Sequence, residues 1–334
     1  MTYIGLHLPS FTFPGVEPSR LYPRVLEIAR TAEASGFTAL SVMDHFHQIA
    51  GQGAPEEPML EAYTALGGIA AHTSRVQVLS MVAGVVYHNP AHLAKEVTTL
   101  DLISGGRAIL GIGAAWFEQE ARAYGFDFPS LRERMDRLEE ALQICRSMLD
   151  RERTTFEGRY YRVVEAINVP RPVRERVPIM VGGGGERRTL RLVARYADLC
   201  NVVGDVNTFR HKLEVLRGHC EAVGRDPARI VKTANAGMVV IDETEAGVQR
   251  RLQELAAAPP PALRGLDAAE LRRRLVAGTP EEVADRLRAF AEAGADGITM
   301  SVRGAYELRP VELAARAARA AFGVGRPEVG PRTG

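Results

Sequence analysis

The chain has 334 residues, 46% hydrophobic and 25% charged, with a net charge of +1. That balance gives no general pull towards nucleic acid or a membrane surface, and a chain this long can bury a large core without disulfide or metal staples. No apolar run approaches the roughly 20 residues needed to span a bilayer. Residues 1–9 read as a first strand and not as a signal peptide. Cys145, Cys200 and Cys220 share no metal-ligand spacing, which fits reduced thiols in a cytoplasmic protein. Lys95, Lys212 and Lys232 are the only lysines, so arginine carries nearly all the positive charge.

The chain alternates short β-rich runs with amphipathic helical patterns. A strand is expected over 3–8, then a helix over 21–34 stopped by Gly36. The second strand, 39–43, ends at Asp44-His45, and a polar loop over 48–58 leads to a helix over 62–72. The third strand covers 76–82. Pro90 opens the next helix at a first-turn position, and Gly105-Gly106 stops it. The fourth strand, 108–113, runs into a Gly/Ala-rich turn, and a charged amphipathic helix follows over 131–149. A hairpin is expected over 154–164, turning at Glu157-Gly158. The fifth strand, 178–181, meets four glycines and a helix over 187–196; the sixth, 199–203, precedes a helix over 208–223. The seventh strand lies within 230–240. Helices over 244–257 and 267–276 flank Pro259-Pro260-Pro261. Thr279, Pro280 and Glu282 form a capping box that starts another helix. The eighth strand is 298–302, the last helix 311–321, and the Gly/Pro-rich tail from Gly325 is expected to be disordered.

Eight strands, each followed by a helix, predict an α/β fold: a single (β/α)8 TIM-barrel domain over 1–324 with insertion segments. An open doubly wound sheet is the alternative. In a barrel the working residues sit where strands end, and four strand ends carry chemistry. Gly182-Gly-Gly-Gly-Glu-Arg-Arg lies between a strand and a helix, where backbone N–H groups and the helix N-terminus suit an anion. It is neither a dinucleotide fingerprint nor a P-loop. In Leu110-Gly-Ile-Gly-Ala-Ala-Trp the small residues let a planar ring lie against backbone. Trp116, the only tryptophan, either packs over a ring system or fills the barrel mouth. Asp44-His45 offers a carboxylate beside an imidazole, with Asp44 placed to orient His45 as a general acid or base. His7, at the end of the first strand, is a further candidate. His88 and His92 flank a helix start and read as surface or capping groups. No His-Glu-x-x-His or other tight cluster is present, so no metal is expected.

Together these segments resemble the luciferase-like superfamily, in its branch that uses the deazaflavin coenzyme F420. The most specific piece runs from His88-Asn-Pro-Ala-His-Leu-Ala-Lys through Thr99-Leu-Asp and Ser104-Gly-Gly-Arg to Leu110-Gly-Ile-Gly-Ala-Ala-Trp. The resemblance covers nearly the whole chain. It implies that Asp44 contacts the deazaflavin and that His45 is the acid/base beside it. It implies a bulged third strand with a non-proline cis peptide at Ser80-Met81, and Ala83 near the ring. Ala114, Ala115 and Gln119 match cofactor-touching positions, and Gly183, Gly184, Gly185, Glu186 and Arg187 match the loop for its phosphodiester. It also implies a homodimer. Relatives that oxidise a sugar phosphate have a catalytic glutamate where this chain has Trp116, and they use lysines on the phosphate. The resemblance therefore argues against a sugar-phosphate substrate, with His7 and Trp116 in the substrate pocket. The leading expectation is an F420-dependent oxidoreductase. The alternatives are an FMN-dependent monooxygenase with a partner reductase and an F420-binding protein without turnover.

Overall fold

The computed structural model describes residues 2–324; the tail expected to be disordered, 325–334, lies outside the described residues. Its strands are β1 (Tyr3–Leu8), β2 (Ala39–Val42), β3 (Gln77–Ser80), β4 (Ala83–Gly84), β5 (Leu110–Gly113), β6 (Arg153–Glu157), β7 (Arg162–Ile167), β8 (Ile179–Gly182), β9 (Leu199–Val203), β10 (Val231–Ile241), β11 (Val276–Gly278) and β12 (Gly297–Val302). The main sheet runs β3-β2-β1-β12-β10-β9-β8-β5-β4, and every pair in it is parallel. The ring is completed where β4 pairs with β5 and Val78 bridges Ala108. The expected barrel is therefore observed, and the open sheet is not.

Alternation along the strands sorts the side chains. Ile4, Leu6 and Leu8 of β1 face outward into the shell of helices, while Tyr3 turns inward beside Ala39, Leu79, Ile109, Met180 and Leu199. These inward residues plug the lower end of the barrel, which leaves its upper end for polar groups. The surrounding helices start and stop as their local chemistry requires. Asn89 caps α3 (Pro90–Ser104) by accepting from Ala91 and His92 N–H groups, and Gly105 closes it at φ 65°, where glycine carries no Cβ penalty. The capping box of Thr279 and Glu282 opens α10 (Pro280–Glu292) as expected.

Three differences from the sequence reading bear on the site. The third strand is broken, because the Met81–Val82 peptide is cis. The expected cis bond at Ser80-Met81 is thus corrected by one residue: Ser80 remains in ladder register with Val42, and the chain departs only after it. Second, α4 (Glu118–Ala123) occupies the expected turn ahead of α5 (Leu131–Asp150). Third, the helix expected over 267–276 ends at Arg274, and β11 then pairs with β10. With α8 (Glu245–Ala257) and α9 (Ala268–Arg274), β11 encloses a small core around Leu252 and Leu271 that roofs one side of the barrel mouth.

Arg107 ties the lower rim together. Its guanidinium donates to Ser104 O (2.6 Å), Val76 O (2.6 Å), Ala70 O (2.8 Å), Thr73 O (2.9 Å) and Thr73 Oγ1 (3.1 Å). It thereby satisfies carbonyls at the end of α2 (Ala62–Ala71) and at the entry to β3. Charge-assisted bonds contribute about 1.5–3 kcal/mol each, and not additively. Arg107→Met is expected to lower unfolding free energy by about 3 kcal/mol in urea denaturation while leaving ligand binding at the far end of the barrel intact. A loss under about 1 kcal/mol contradicts this role for Arg107.

Candidate active site

The residues after β2 set the chemistry. Neighbouring side chains in extended chain point to opposite sides, and here they part company. Asp44 Oδ2 accepts from the Gly84 N–H at 2.7 Å and lies 3.0 Å from His88 Nε2. His45 Nδ1 lies 2.8 Å from Glu120 Oε2. The expectation that Asp44 orients His45 is corrected: Glu120, from α4, performs that task.

Glu120 is fully buried. Its Oε1 accepts the Phe46 and His47 N–H groups at 2.6 and 2.7 Å, and its Oε2 accepts the Tyr87 hydroxyl at 2.8 Å as well as His45. Burial works to raise its pKa, but the hydrogen bonds from His45, His47 and Tyr87 outweigh that and hold the carboxyl below its ordinary range. An ionised carboxylate only accepts. The proton therefore sits on His45 Nδ1, and Nε2 is the nitrogen left to exchange protons. The His45 ring meets the edges of Trp116 and Phe117, with centroids 5.5 and 5.8 Å away.

His88 is not a surface group. Its side chain is 11% exposed and stands between Asp44 and Glu96, with Nδ1 3.4 Å from Glu96 Oε2. Burial would lower its pKa, yet the two carboxylates prevail and raise it to about 10, so it is an imidazolium at neutral pH. The reading of it as a surface or capping residue fails because Asp44 needs a partner inside. His92, 71% exposed, does lie on the surface as expected. His7 behaves oppositely. Burial, and then the charge of His45, lower its pKa to about 4 despite the bond from Nδ1 to Ser41 Oγ at 2.9 Å.

His7, Asp44, His45, Met81, Ala114, Ala115, Trp116 and the loop from Gly183 to Arg187 line one cleft of about 1250 Å³ at the strand C-terminal ends. Ser80, Ala83 and Gln119 do not line it. Ser80 and Ala83 are fully buried, because the cis bond turns Val82 and Gly84 to the cleft and leaves Ala83 in the outer core. Gln119 is exposed, one helical step away from the inward-facing Glu120. Trp116 does not fill the mouth; it stands 61% exposed beside His45 and stacks on Phe117 at 5.1 Å. The glycines of Leu110-Gly-Ile-Gly first serve the bulge. A Cβ at Gly113 or Gly182 would lie 2.8 Å from a Val82 methyl, and one at Gly111 would lie 2.0 Å from Ser80 O.

The far end of the cleft is polar. Gly183 adopts φ 111° ahead of α6 (Thr189–Tyr196). Glu186 is held by Lys212 Nζ at 2.6 Å and His211 Nε2 at 3.1 Å, and Arg188 pairs with Asp136. Arg187 is exposed at the rim. A second chamber of about 470 Å³ touches the cleft at His7. Its walls include Gln52, Glu57, Ala258 and Arg264, from two segments joined by the bond from Ala262 N to Ala50 O at 2.9 Å. Sequence reading missed Glu120, Tyr87, Val82 and His88. Glu120 sits in a Glu-Gln-Glu run that looks like any solvated helix start, and no local signal marks it.

The profile of the luciferase-like monooxygenase family matches residues 3–297. An F420-dependent glucose-6-phosphate dehydrogenase of Kineococcus radiotolerans is 35% identical over 217 residues, 63% of this chain and 62% of that protein. One from Segniliparus rotundus is 27% identical, covering 87% of this chain and 91% of its own length. Among solved structures, an F420-dependent secondary alcohol dehydrogenase in complex with an F420-acetone adduct superposes with a TM-score of 0.79 at 20% identity, covering 96% of this chain and 99% of that one. An EDTA monooxygenase from Chelativorans sp. BNC1 superposes with a TM-score of 0.80 at 19% identity, covering 97% and 98%. These two likenesses establish the shared fold. With the profile spanning most of its length, this chain belongs to the luciferase-like monooxygenase family.

Proposed function

We propose that the chain is an F420-dependent oxidoreductase acting on a small organic substrate, with His45 as the proton-handling group. The observation that carries this is the cleft itself. Val82, Ala114 and Ala115 line it beside His45, and a glycine loop ahead of a helix lines it elsewhere. A planar ring with an anionic tail fits that division. Gly183 adopts φ 111°, a conformation that side chains rarely take, which keeps the loop backbone bare towards the cleft. Two relatives at 35% and 27% identity carry F420 in their names, which supports the same reading.

F420, when bound, supplies the hydride acceptor or donor. The chain supplies the rest. Gly183 to Arg187 and the start of α6 would hold the phosphodiester, and Asp44 would meet the ring. Neutral His45 takes a proton at Nε2 from a substrate alcohol; protonated His45 returns one when a C=C, C=N or C=O bond is reduced. His7 stays neutral at neutral pH and so does not compete as an acid. Trp116 gives the substrate an apolar neighbour where a carboxylate would otherwise stand, and the second chamber can take the remainder of the molecule. An uncharged or partly aromatic substrate suits this wall better than a sugar phosphate.

Among the described residues no helix is long and apolar enough to cross a membrane, and all three cysteines are free and buried, which supports a cytoplasmic protein. The homodimer rests on the family resemblance. Light scattering at micromolar concentration is expected to show a dimer, and a 36.4 kDa species alone contradicts it.

Titration with oxidised F420 and with FMN, followed by fluorescence quenching, tests the cofactor. Micromolar affinity for F420 and none for FMN is expected; the reverse makes the chain an FMN enzyme. Once enones, imines and alcohols have been screened for turnover, His45→Ala is expected to lower kcat by roughly 100-fold or more and leave F420 affinity within about threefold. Wild-type turnover in that variant would remove His45 from the reaction. Glu120→Gln is expected to destabilise the protein by about 2–4 kcal/mol, because two half-buried backbone N–H groups, a histidine and a tyrosine lose an ionised acceptor. Amide hydrogen exchange at 45–47 should rise with it; unchanged protection there contradicts the anchoring role.

A further inference from the structure

Asp44 reaches the cleft with one oxygen already committed behind it. Oδ2 takes the Gly84 N–H at 2.7 Å and faces His88 Nε2 at 3.0 Å. His88 in turn stands between two carboxylates, with Glu96 Oε2 3.4 Å from Nδ1. The ring edge of Tyr63 covers it at 5.8 Å. Beyond Glu96, exposed His92 lies 3.5 Å away.

Two roles suit such a row: a proton relay to solvent, or a fixed cation. The contacts decide between them. Glu96 meets His88 Nδ1 at 3.4 Å and His92 Nδ1 at 3.5 Å, ion-pair distances longer than the hydrogen bonds that a relay needs. An imidazole flanked by two carboxylates is instead a standing imidazolium. The other titratable groups facing it agree. Glu61, capping α2, is held ionised by the N–H groups of Tyr63 and Thr64, while burial keeps Tyr63 and Cys145 neutral, the thiol pushed up to about 12.

We propose that His88 is a positioning residue: a fixed cation that keeps Asp44 ionised and turns its second oxygen to the cleft, where it accepts from a donor on the cofactor ring. This rests on the reading that F420 lies against Asp44. Without the cation, Asp44 is a buried carboxylate left with one backbone donor, so burial opposes its charge with less to offset it.

The full-length protein tests this in two independent ways. Nitrogen-15 NMR of the histidine rings, with His88 assigned by its absence in His88→Gln, is expected to show both ring nitrogens protonated from about pH 6 to about pH 9. A ring that titrates near its ordinary value overturns the fixed cation, whatever the cofactor. F420 titration reads the second half. Wild-type affinity is expected to be flat over that range, while His88→Gln, which keeps a donor but not the charge, loses about tenfold between about pH 8 and about pH 5.5. His88→Leu, which removes both, is weakened throughout. A His88→Gln affinity that parallels wild type at every pH overturns the proposal. If the wild type fails to bind F420, the cofactor reading falls with this second half, and the NMR result still decides the cation.

Discussion

A single buried carboxylate holds the barrel mouth in working order. Glu120 gathers the Phe46 and His47 backbone, the Tyr87 hydroxyl and the His45 ring onto two oxygens. These groups come from the loop after β2, the loop after β4 and α4, which also meet through the rings of Phe46, Tyr87 and Tyr124. Burying a carboxylate costs several kcal/mol unless its lone pairs are occupied. Here they are, and the hydrogen bonds that offset the cost also tie three segments together. Every later property of His45 follows from this contact: which nitrogen is protonated, where the ring points, and why Trp116 and Phe117 can pack against it.

The bulge in the third strand is a second constraint, and it explains the glycines opposite it. The cis bond sends Val82 into the barrel mouth, and its methyl groups need room on β5 and β8. Gly113 and Gly182 provide that room, and Gly111 lets the Ser80 carbonyl approach. The same turn of chain presents the Gly84 N–H to Asp44. Motif glycines that seemed to await a ligand thus have a prior task within the protein. The ligand wall is the outcome of that packing, since Val82, Ala114 and Ala115 are what remains facing the cleft.

The fold was legible because it rests on local signals. Strands of alternating or β-branched character, proline at first helical turns and glycine at helix ends each act within a few residues, and eight repeats leave little freedom. Caps such as Asn89 and Thr279 could be read directly. The site was legible only where it coincided with a strand end. Asp44, His45 and the glycine loop were read that way, and all of them line the one cleft. Glu120 was not, because a buried glutamate on a short helix is defined by partners more than 70 residues away in sequence. His88 was misjudged for the same reason: its partner Asp44 is 44 residues distant, and a histidine ahead of a helix N-cap gives no sign of it. The one-residue slip in the cis bond shows the limit of carrying a family feature across. The resemblance placed the bulge, but only side-chain packing fixed which peptide turns.

Three imidazoles near one cleft illustrate how environment divides a single chemistry. His7 is buried beside a neutral hydroxyl, with no carboxylate in contact, and so is held uncharged. His88 is nearly as buried but has a carboxylate at each nitrogen, and so is held charged. His45 has one nitrogen committed to a carboxylate and the other on the cleft side. A residue fixed in either charge state cannot exchange a proton during turnover at neutral pH, because it sits far from the balance point that general catalysis requires. Of the three, His45 alone holds a carboxylate at one nitrogen and none at the other. The other two define the field around it, one by withholding charge and the other by supplying it.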